Sequence, residues 1–187
     1  MTSLRTTAGC CLLLTFFLSG CARPSYQSRL APASGSSGAA GVVRVSAEKT
    51  EAAEPAVAGA LDGTVYAVWV EHRGREADVW LARFDAEAKP LAPPARVNPN
   101  AGEATAWRGD PPTVAVAADG TVYVGWTARD EAAPHATTLY LSASRDGGRS
   151  FGSPVKVNDD AKHCVHGMHS LAVGEGGRVY VAWLDER

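Results

Sequence analysis

Apolar and polar residues alternate along this chain in short bursts, and turn-forming residues separate the bursts. In Thr121-Val122-Tyr123-Val124-Gly125-Trp126-Thr127, the side chains of Val122, Val124 and Trp126 fall on one face of an extended strand and Tyr123 on the other. Both faces are largely apolar, which suits a sheet covered on each side. Another apolar run, Thr113 to Ala117, precedes this strand across the turn signal Ala118-Asp119-Gly120. Thr138 to Ala143 and Val155 to Asn158 read as two more strands. The pattern predicts a unit of four short antiparallel strands.

The unit repeats. Asp62-Gly63-Thr64-Val65-Tyr66-Ala67-Val68-Trp69 precedes the stretch above, and Gly176-Gly177-Arg178-Val179-Tyr180-Val181-Ala182-Trp183 follows it. The same 57 residues separate Gly63 from Gly120 and Gly120 from Gly177. A fixed period of this size marks units that bury their faces against neighbours. The first unit supplies Pro55 to Ala60, Thr64 to Val70, Val79 to Phe84 and Ala95 to Asn98; its later strands lie 60 residues from their counterparts, because the second unit has a longer Asp130 to Thr138 connection. The third unit supplies Ser170 to Val173 and Arg178 to Leu184 before the chain ends at Arg187. The expectation is all-β: a β-propeller of four-stranded antiparallel blades with about two and a half blades present, and with Val42 to Val45 as a candidate extra strand. A ring needs about four blades or more. Residues 42–187 therefore read as an incomplete domain of a longer protein, with a half-ring completed by a partner chain as the other reading.

The start of the chain reads differently. Met1 to Arg5 is a short basic segment and Cys10 to Leu18 an apolar run too short to span a bilayer. Leu18-Ser19-Gly20-Cys21 resembles the bacterial lipobox, so residues 1–20 read as a lipoprotein signal and Cys21 as the lipidated residue; a secretory signal cut near Ala22 is the alternative. Residues 21–41, rich in Gly, Ser, Ala and Pro, read as a tether with a reach on the order of 25 Å. This predicts an exported, membrane-anchored protein on the periplasmic or cell-surface side. With Cys10 and Cys11 removed and Cys21 lipidated, Cys164 has no disulfide partner. Lys plus Arg number 18 against 20 Asp plus Glu, without a basic run, which argues against a nucleic-acid partner.

Between the third and fourth strands of the second unit lies Ser144-Arg145-Asp146-Gly147-Gly148-Arg149-Ser150-Phe151. The Asp146 carboxylate can accept backbone N–H groups, the glycines permit positive φ, and Phe151 can plug the turn against the sheet. This segment resembles the Asp-box, or BNR repeat, of the sialidase (neuraminidase)-like propellers, with Ser144, Asp146, Gly148 and Phe151 as its structural positions. The corresponding place in the first unit, Phe84 to Leu91, lacks the motif.

Strand alternation sorts the connections between two rims. One collects turn residues. The other collects Arg73, Arg75 and Asp78, then Trp107, Arg108 and Asp110, then Arg129 and Asp130, then His163-Cys164-Val165-His166-Gly167-Met168-His169, then Asp185-Glu186-Arg187. Charged, aromatic and imidazole groups gather where propellers bind ligands. Arg73, Arg108, Arg129, His166 and His169 are accordingly candidate ligand-binding residues. Sialidases hold a substrate carboxylate with arginines, whose planar fork binds it bidentately, and use an Asp as acid/base. The resemblance makes Asp78 the candidate acid/base; a solvated loop arginine and a strand-starting Asp are the plain reading of Arg73 and Asp78. Glu54-Pro55 and Pro111-Pro112 stand where the family carries its first clamp arginine.

His163, Cys164, His166 and His169 combine imidazole and thiolate donors suited to zinc or copper, although their spacing matches no standard site and lining a pocket would also explain them. No cofactor is otherwise expected. The recurring Trp69, Trp126 and Trp183 read as packing residues. The resemblance implies a surface-anchored propeller recognising glycans or similar polar ligands. Two alternatives stay open: an exo-α-sialidase whose remaining catalytic residues lie beyond Arg187, and a metal-binding propeller using the 163–169 loop.

Overall fold

The computed structural model describes residues 42–105, 109–130 and 132–187; the signal, Cys21 and the tether, together with Trp107 and Arg108, lie outside the described residues. The described strands are β1 (Glu51–Gly59), β2 (Val65–Arg73), β3 (Glu76–Phe84), β4 (Ala95–Arg96), β5 (Thr113–Val116), β6 (Val122–Arg129), β7 (Thr137–Ser144), β8 (Val155–Lys156), β9 (His166–Val173) and β10 (Val179–Asp185). They form two four-stranded antiparallel sheets, β1-β2-β3-β4 and β5-β6-β7-β8, and a β9–β10 pair. Sheet order follows chain order, as the repeat predicts.

The middle strands outrun the sequence reading toward one rim. β2 and β3 stay paired out to Arg73 opposite Glu76, and Gly74 at φ 66° takes the left-handed position that the two-residue connection requires. The fourth strands are shorter than expected. Pro93-Pro94 before β4 and Pro154 before β8 supply no N–H to a ladder. Pairing nevertheless continues as single bonds from Val97 N to Val79 O and from Val157 N to Leu139 O, each 2.8 Å. Val42 to Val45 forms no strand: Val42 is fully exposed, and Val45 packs against the group of Trp69, Ala82 and Phe84.

Both faces of the sheets are apolar, so sheets stack. β1 touches β5 and β5 touches β9, which places the first strands of successive units side by side. Tyr66, Val68, Val70, Val79 and Leu81 of the first sheet meet Val122, Val124 and Trp126 of the second in one buried cluster. Each large aliphatic side chain taken fully from water there contributes about 1.5–3 kcal/mol. Trp126 stacks on Tyr140 at 6.0 Å between ring centroids. Its counterpart Trp69 is equally buried but lies in a separate cluster with Ala82 and Phe84, because it faces away from the second sheet. Trp183 is half-buried.

Two polar devices fix strand register. Asn98 Oδ1 accepts the Val79 N–H at 2.7 Å, and Asn158 Oδ1 accepts the Leu139 N–H at 3.1 Å. The same residue thus closes the same gap in both units. In the Ser144–Phe151 turn, Asp146 Oδ1 accepts from Arg149 N and Ser150 N, Asp146 Oδ2 accepts from the Ser150 hydroxyl at 2.6 Å, and Ser144 Oγ accepts from Gly148 N. These donors hold the Asp146 carboxyl well below the usual carboxylate range, with the Ser150 and Ser144 hydroxyls contributing most. The turn also joins the sheets: Arg83 Nη1 donates to Gly147 O at 3.0 Å, and a Cβ on Gly148, at φ 83°, would come within 2.9 Å of Leu81 Cδ2.

Replacing Asn98 or Asn158 by Ala strands a buried N–H, so each change should lower unfolding stability by about 1–3 kcal/mol in urea titrations. Losses below 0.5 kcal/mol, roughly the scale of ordinary surface changes, in both variants would refute the register role.

Candidate functional site

Bulges shape the rim. Glu54 (φ 51°) in β1 and Met168 (φ 47°) in β9 adopt left-handed conformations two repeat lengths apart, and register shifts flank both. Pro111 stands at the equivalent point of the second unit; its ring fixes φ near −65°, and β5 begins beyond it at Thr113. A bulge bends its strand and re-aims side chains. The Glu54 carboxylate thereby reaches His72 Nε2 at 2.9 Å, with both side chains buried. At Met168 the re-aimed backbone N–H donates to Asp110 Oδ1 at 2.7 Å.

Asp110 is the polar tie between the second and third units. It is 5% exposed, accepts the Thr127 hydroxyl at 2.7 Å, and lies 3.4 Å from His169 Nδ1. Burial pushes its pKa upward, but the His169 and Thr127 contacts and the Met168 N–H outweigh that push, leaving it below the ordinary carboxylate value. His169 is wedged beside Gly125, where a Cβ would stand 3.2 Å from the imidazole Nε2. The glycine at this point of the repeat makes room for the histidine.

Above this tie opens a cleft of about 610 Å³, lined by Arg75, Arg129, His135, Val165, Met168 and Leu184 among others. It draws walls from the β2–β3 turn, the β6–β7 connection and both strands of the third unit, a concave, mostly apolar setting with a few polar groups of the kind that ligands occupy. Arg129 is held by donation to Gly102 O at 3.1 Å.

The candidate residues separate on the structure. Arg129 lines the cleft. Arg73 does not; it pairs with Asp78, while Arg75, two residues on, reaches the cleft. Asp78 is 2% exposed and also accepts from Asn98 Nδ2 and Gly102 N, each at 2.8 Å. Its carboxylate is committed to holding the start of β3 against the following loop. His169 is buried between sheets rather than facing the cleft, and Arg108 lies outside the described residues.

The expected His163, Cys164, His166 and His169 group is split. His163 turns outward to Asp130 Oδ2 at 2.6 Å, and His169 belongs to Asp110. Strand alternation carries Cys164 and His166 to the side opposite Val165 and Gly167, which line the cleft. There they meet Asp160 and Asp185, with the four donor atoms all within 4.8 Å of one another. Asn158 Nδ2 donates to Asp160 Oδ1 at 2.9 Å and is the main cause that holds Asp160 down at about 2 against burial, with Cys164 and His166 assisting. Burial, then the Asp160 carboxylate, raises the Cys164 thiol. Asp160 was readable only through Asn98-x-Asn100 and Asn158-x-Asp160: each Asn donates to the residue two positions on, to a backbone carbonyl in the first unit and to a carboxylate in the second.

No family model and no curated protein matches the sequence. Among solved structures, the chain is similar to an endo-arabinase from Bacteroides thetaiotaomicron VPI-5482, at 13% identity and TM-score 0.51, covering 74% of this chain and 53% of that one. It is similar also to a protein of unknown function from Dyadobacter fermentans DSM 18053, at 16% identity and TM-score 0.52, covering 74% and 48% respectively. The chain thus spans about half the length of the solved structures it matches. The likeness is one of fold: an all-β arrangement of antiparallel four-stranded sheets, consistent with a propeller-like fragment.

Because its folded-state pKa is depressed, Asp110 stabilises fully above the unfolded carboxylate value of about 3.9, and the contribution is lost as pH falls below that value. Asp110→Ala should cost about 1.5–3 kcal/mol at neutral pH, the scale of hydrogen bonds to a charged group. The gap to wild type should narrow on going to pH 3 in urea unfolding. A gap that stays constant with pH would show that the charge contributes nothing.

Proposed function

We propose that this chain is part of an exported, lipid-anchored, sialidase-like propeller whose rim cleft recognises a glycan, with an acidic sugar as the preferred class. The observation that carries the reading is the convergence of Arg75 and Arg129, from successive units, on one concave apolar cleft. Guanidinium groups there suit a carboxylate, and Val165, Met168 and Leu184 offer apolar surface to a sugar ring. The hydrogen bonding of Asp146 and Ser144 in the Ser144–Phe151 turn supports the Asp-box reading. The span of about half a neighbour's length supports a larger ring, six- or seven-bladed in our reading.

Binding is favoured over hydrolysis by the state of Asp78. A general acid or base must come within hydrogen-bond reach of the reacting atom, and this carboxylate is buried and shared among Arg73, Asn98 and Gly102. The anchor rests on Cys21, whose lipid would hold the protein at a membrane surface.

Titration calorimetry of the purified chain with N-acetylneuraminic acid and with a neutral hexose tests the reading. Arg75→Ala and Arg129→Ala should each weaken acidic-sugar binding about tenfold, equivalent to about 1.4 kcal/mol, and Arg73→Ala should leave it unchanged. Binding that is indifferent to both cleft arginines, or absent for every acidic sugar, would reject the cleft as the site. Turnover of a fluorogenic sialoside that disappears in Asp78→Asn would replace binding by hydrolysis. Cys21→Ser should move the protein from the membrane fraction to the soluble fraction.

A further inference from the structure

Asp160, Cys164, His166 and Asp185 come from three separate segments: the connection after β8, the entry to β9 and the end of β10. Cys164 Sγ lies 3.2 Å from Asp160 Oδ2 and 3.5 Å from His166 Nε2; His166 Nε2 lies 3.2 Å from Asp160 Oδ2 and 3.8 Å from Asp185 Oδ2. Four ligands held tetrahedrally at zinc's usual bond lengths stand roughly 3.3–3.8 Å from one another. The four separations above fall in or at the edge of that interval, and all six lie within 4.8 Å.

The surroundings orient each donor. His166 is 1% exposed, and its Nδ1 lies 2.7 Å from Thr137 O. A carbonyl can only accept, so Nδ1 carries a proton, and Nε2, the nitrogen a metal would use, is directed into the cluster, the arrangement that metal-bound histidines show. The Thr137 hydroxyl clamps the same residue, donating to His166 O at 2.6 Å and accepting from His166 N at 2.8 Å. Asn158 donates to Asp160 Oδ1; His166 Nε2 stands 3.2 Å from both Asp160 oxygens, and Oδ2 also faces the sulfur. Asp185 Oδ2 is buried without a well-aligned hydrogen bond, although Arg187 Nε stands 2.9 Å away. One thiolate and two carboxylates would leave a bound divalent ion with one excess negative charge, and that guanidinium offsets it.

We propose that these four side chains form a tetrahedral site for a divalent ion of the zinc type, fastening the third unit to the end of the second. A mixed sulfur, nitrogen and oxygen set of this kind suits zinc, and cobalt(II) as its spectroscopic substitute, rather than calcium or magnesium, which take oxygen alone. All four positions come from protein, so the role is structural. The competing account is an imidazolium bridging the two carboxylates with the Cys164 S–H donating to Asp160 Oδ2, and it predicts no thiolate ligand.

The test uses the whole chain, stripped with chelator and titrated with cobalt(II), then with zinc. Wild type should bind one equivalent of cobalt, with tetrahedral d–d bands and a thiolate-to-cobalt charge-transfer band, and zinc should displace it and raise Tm. Cys164→Ser should lose the charge-transfer band and Asp185→Asn should weaken binding at least tenfold, while His163→Ala, on the exposed side, should behave as wild type. Folded wild-type protein that shows no charge-transfer band and no zinc-dependent rise in Tm would overturn the proposal, whichever variants fold. Metal binding that survives Cys164→Ser and falls with His163→Ala would place the ion elsewhere and equally refute this site.

Discussion

Burial of both faces of each sheet is the constraint on which the remaining structure depends. A four-stranded sheet with one wet face could stand against a single partner. Here Val68, Val79 and Leu81 need Val122, Val124 and Trp126, while the opposite face of the first sheet carries Trp69, Ala82 and Phe84. No unit can satisfy itself, so units stack through their neighbours and the first strands β1, β5 and β9 come to lie side by side. The connections at one end of every unit then share a rim. The cleft is a consequence of stacking, since its walls belong to three units and no single unit contains it.

Stacking by apolar surface is indifferent to small slips along the strand, and polar groups supply the register. Asn98 and Asn158 each complete a ladder where prolines have cut the fourth strand short. Asp146 gathers the N–H groups of its turn and presents Gly147 to Arg83 of the preceding sheet. Asp110 does similar work at the rim, joining Thr127 of β6 to Met168 and His169 of β9. Asn98, Asn158 and Asp110 are buried, and buried polar groups are costly unless bonded, which makes the paired arrangement much the more stable one.

The left-handed residues Glu54 and Met168 show how one device serves different ends. Each places a bulge at the same point of its unit. In the first unit the bulge turns a carboxylate inward onto His72; in the third it turns a backbone N–H onto Asp110 and leaves the Met168 side chain exposed at the cleft. The second unit has Pro111 there and starts its strand later. Such positions cost of order 1–3 kcal/mol and persist where surrounding contacts hold them. They stand at the rim where function is proposed.

Alternation with a period of two and a repeat of 57 residues were enough to give the order of strands within each sheet and which connections share a rim, though not the strand ends, because pleating and stacking follow directly from where apolar side chains fall. The asparagine pair was visible as a spacing, but its task was not, since a hydrogen bond across strands has no local signature. Which rim residues face the cleft was decided by tertiary structure alone. Arg73 ends β2 and pairs with Asp78, while Arg75, in the two-residue Gly74-Arg75 turn, reaches the cleft. The expected 163–169 loop is largely strand, since β9 begins at His166 rather than Ser170; a one-residue step there puts Val165 and His166 on opposite sides, and a bulge at Met168 sends His169 to Asp110. The partners of Cys164 and His166 come from the connection after β8 and the end of β10, and strand pairing, rather than sequence spacing, brings their oxygens together.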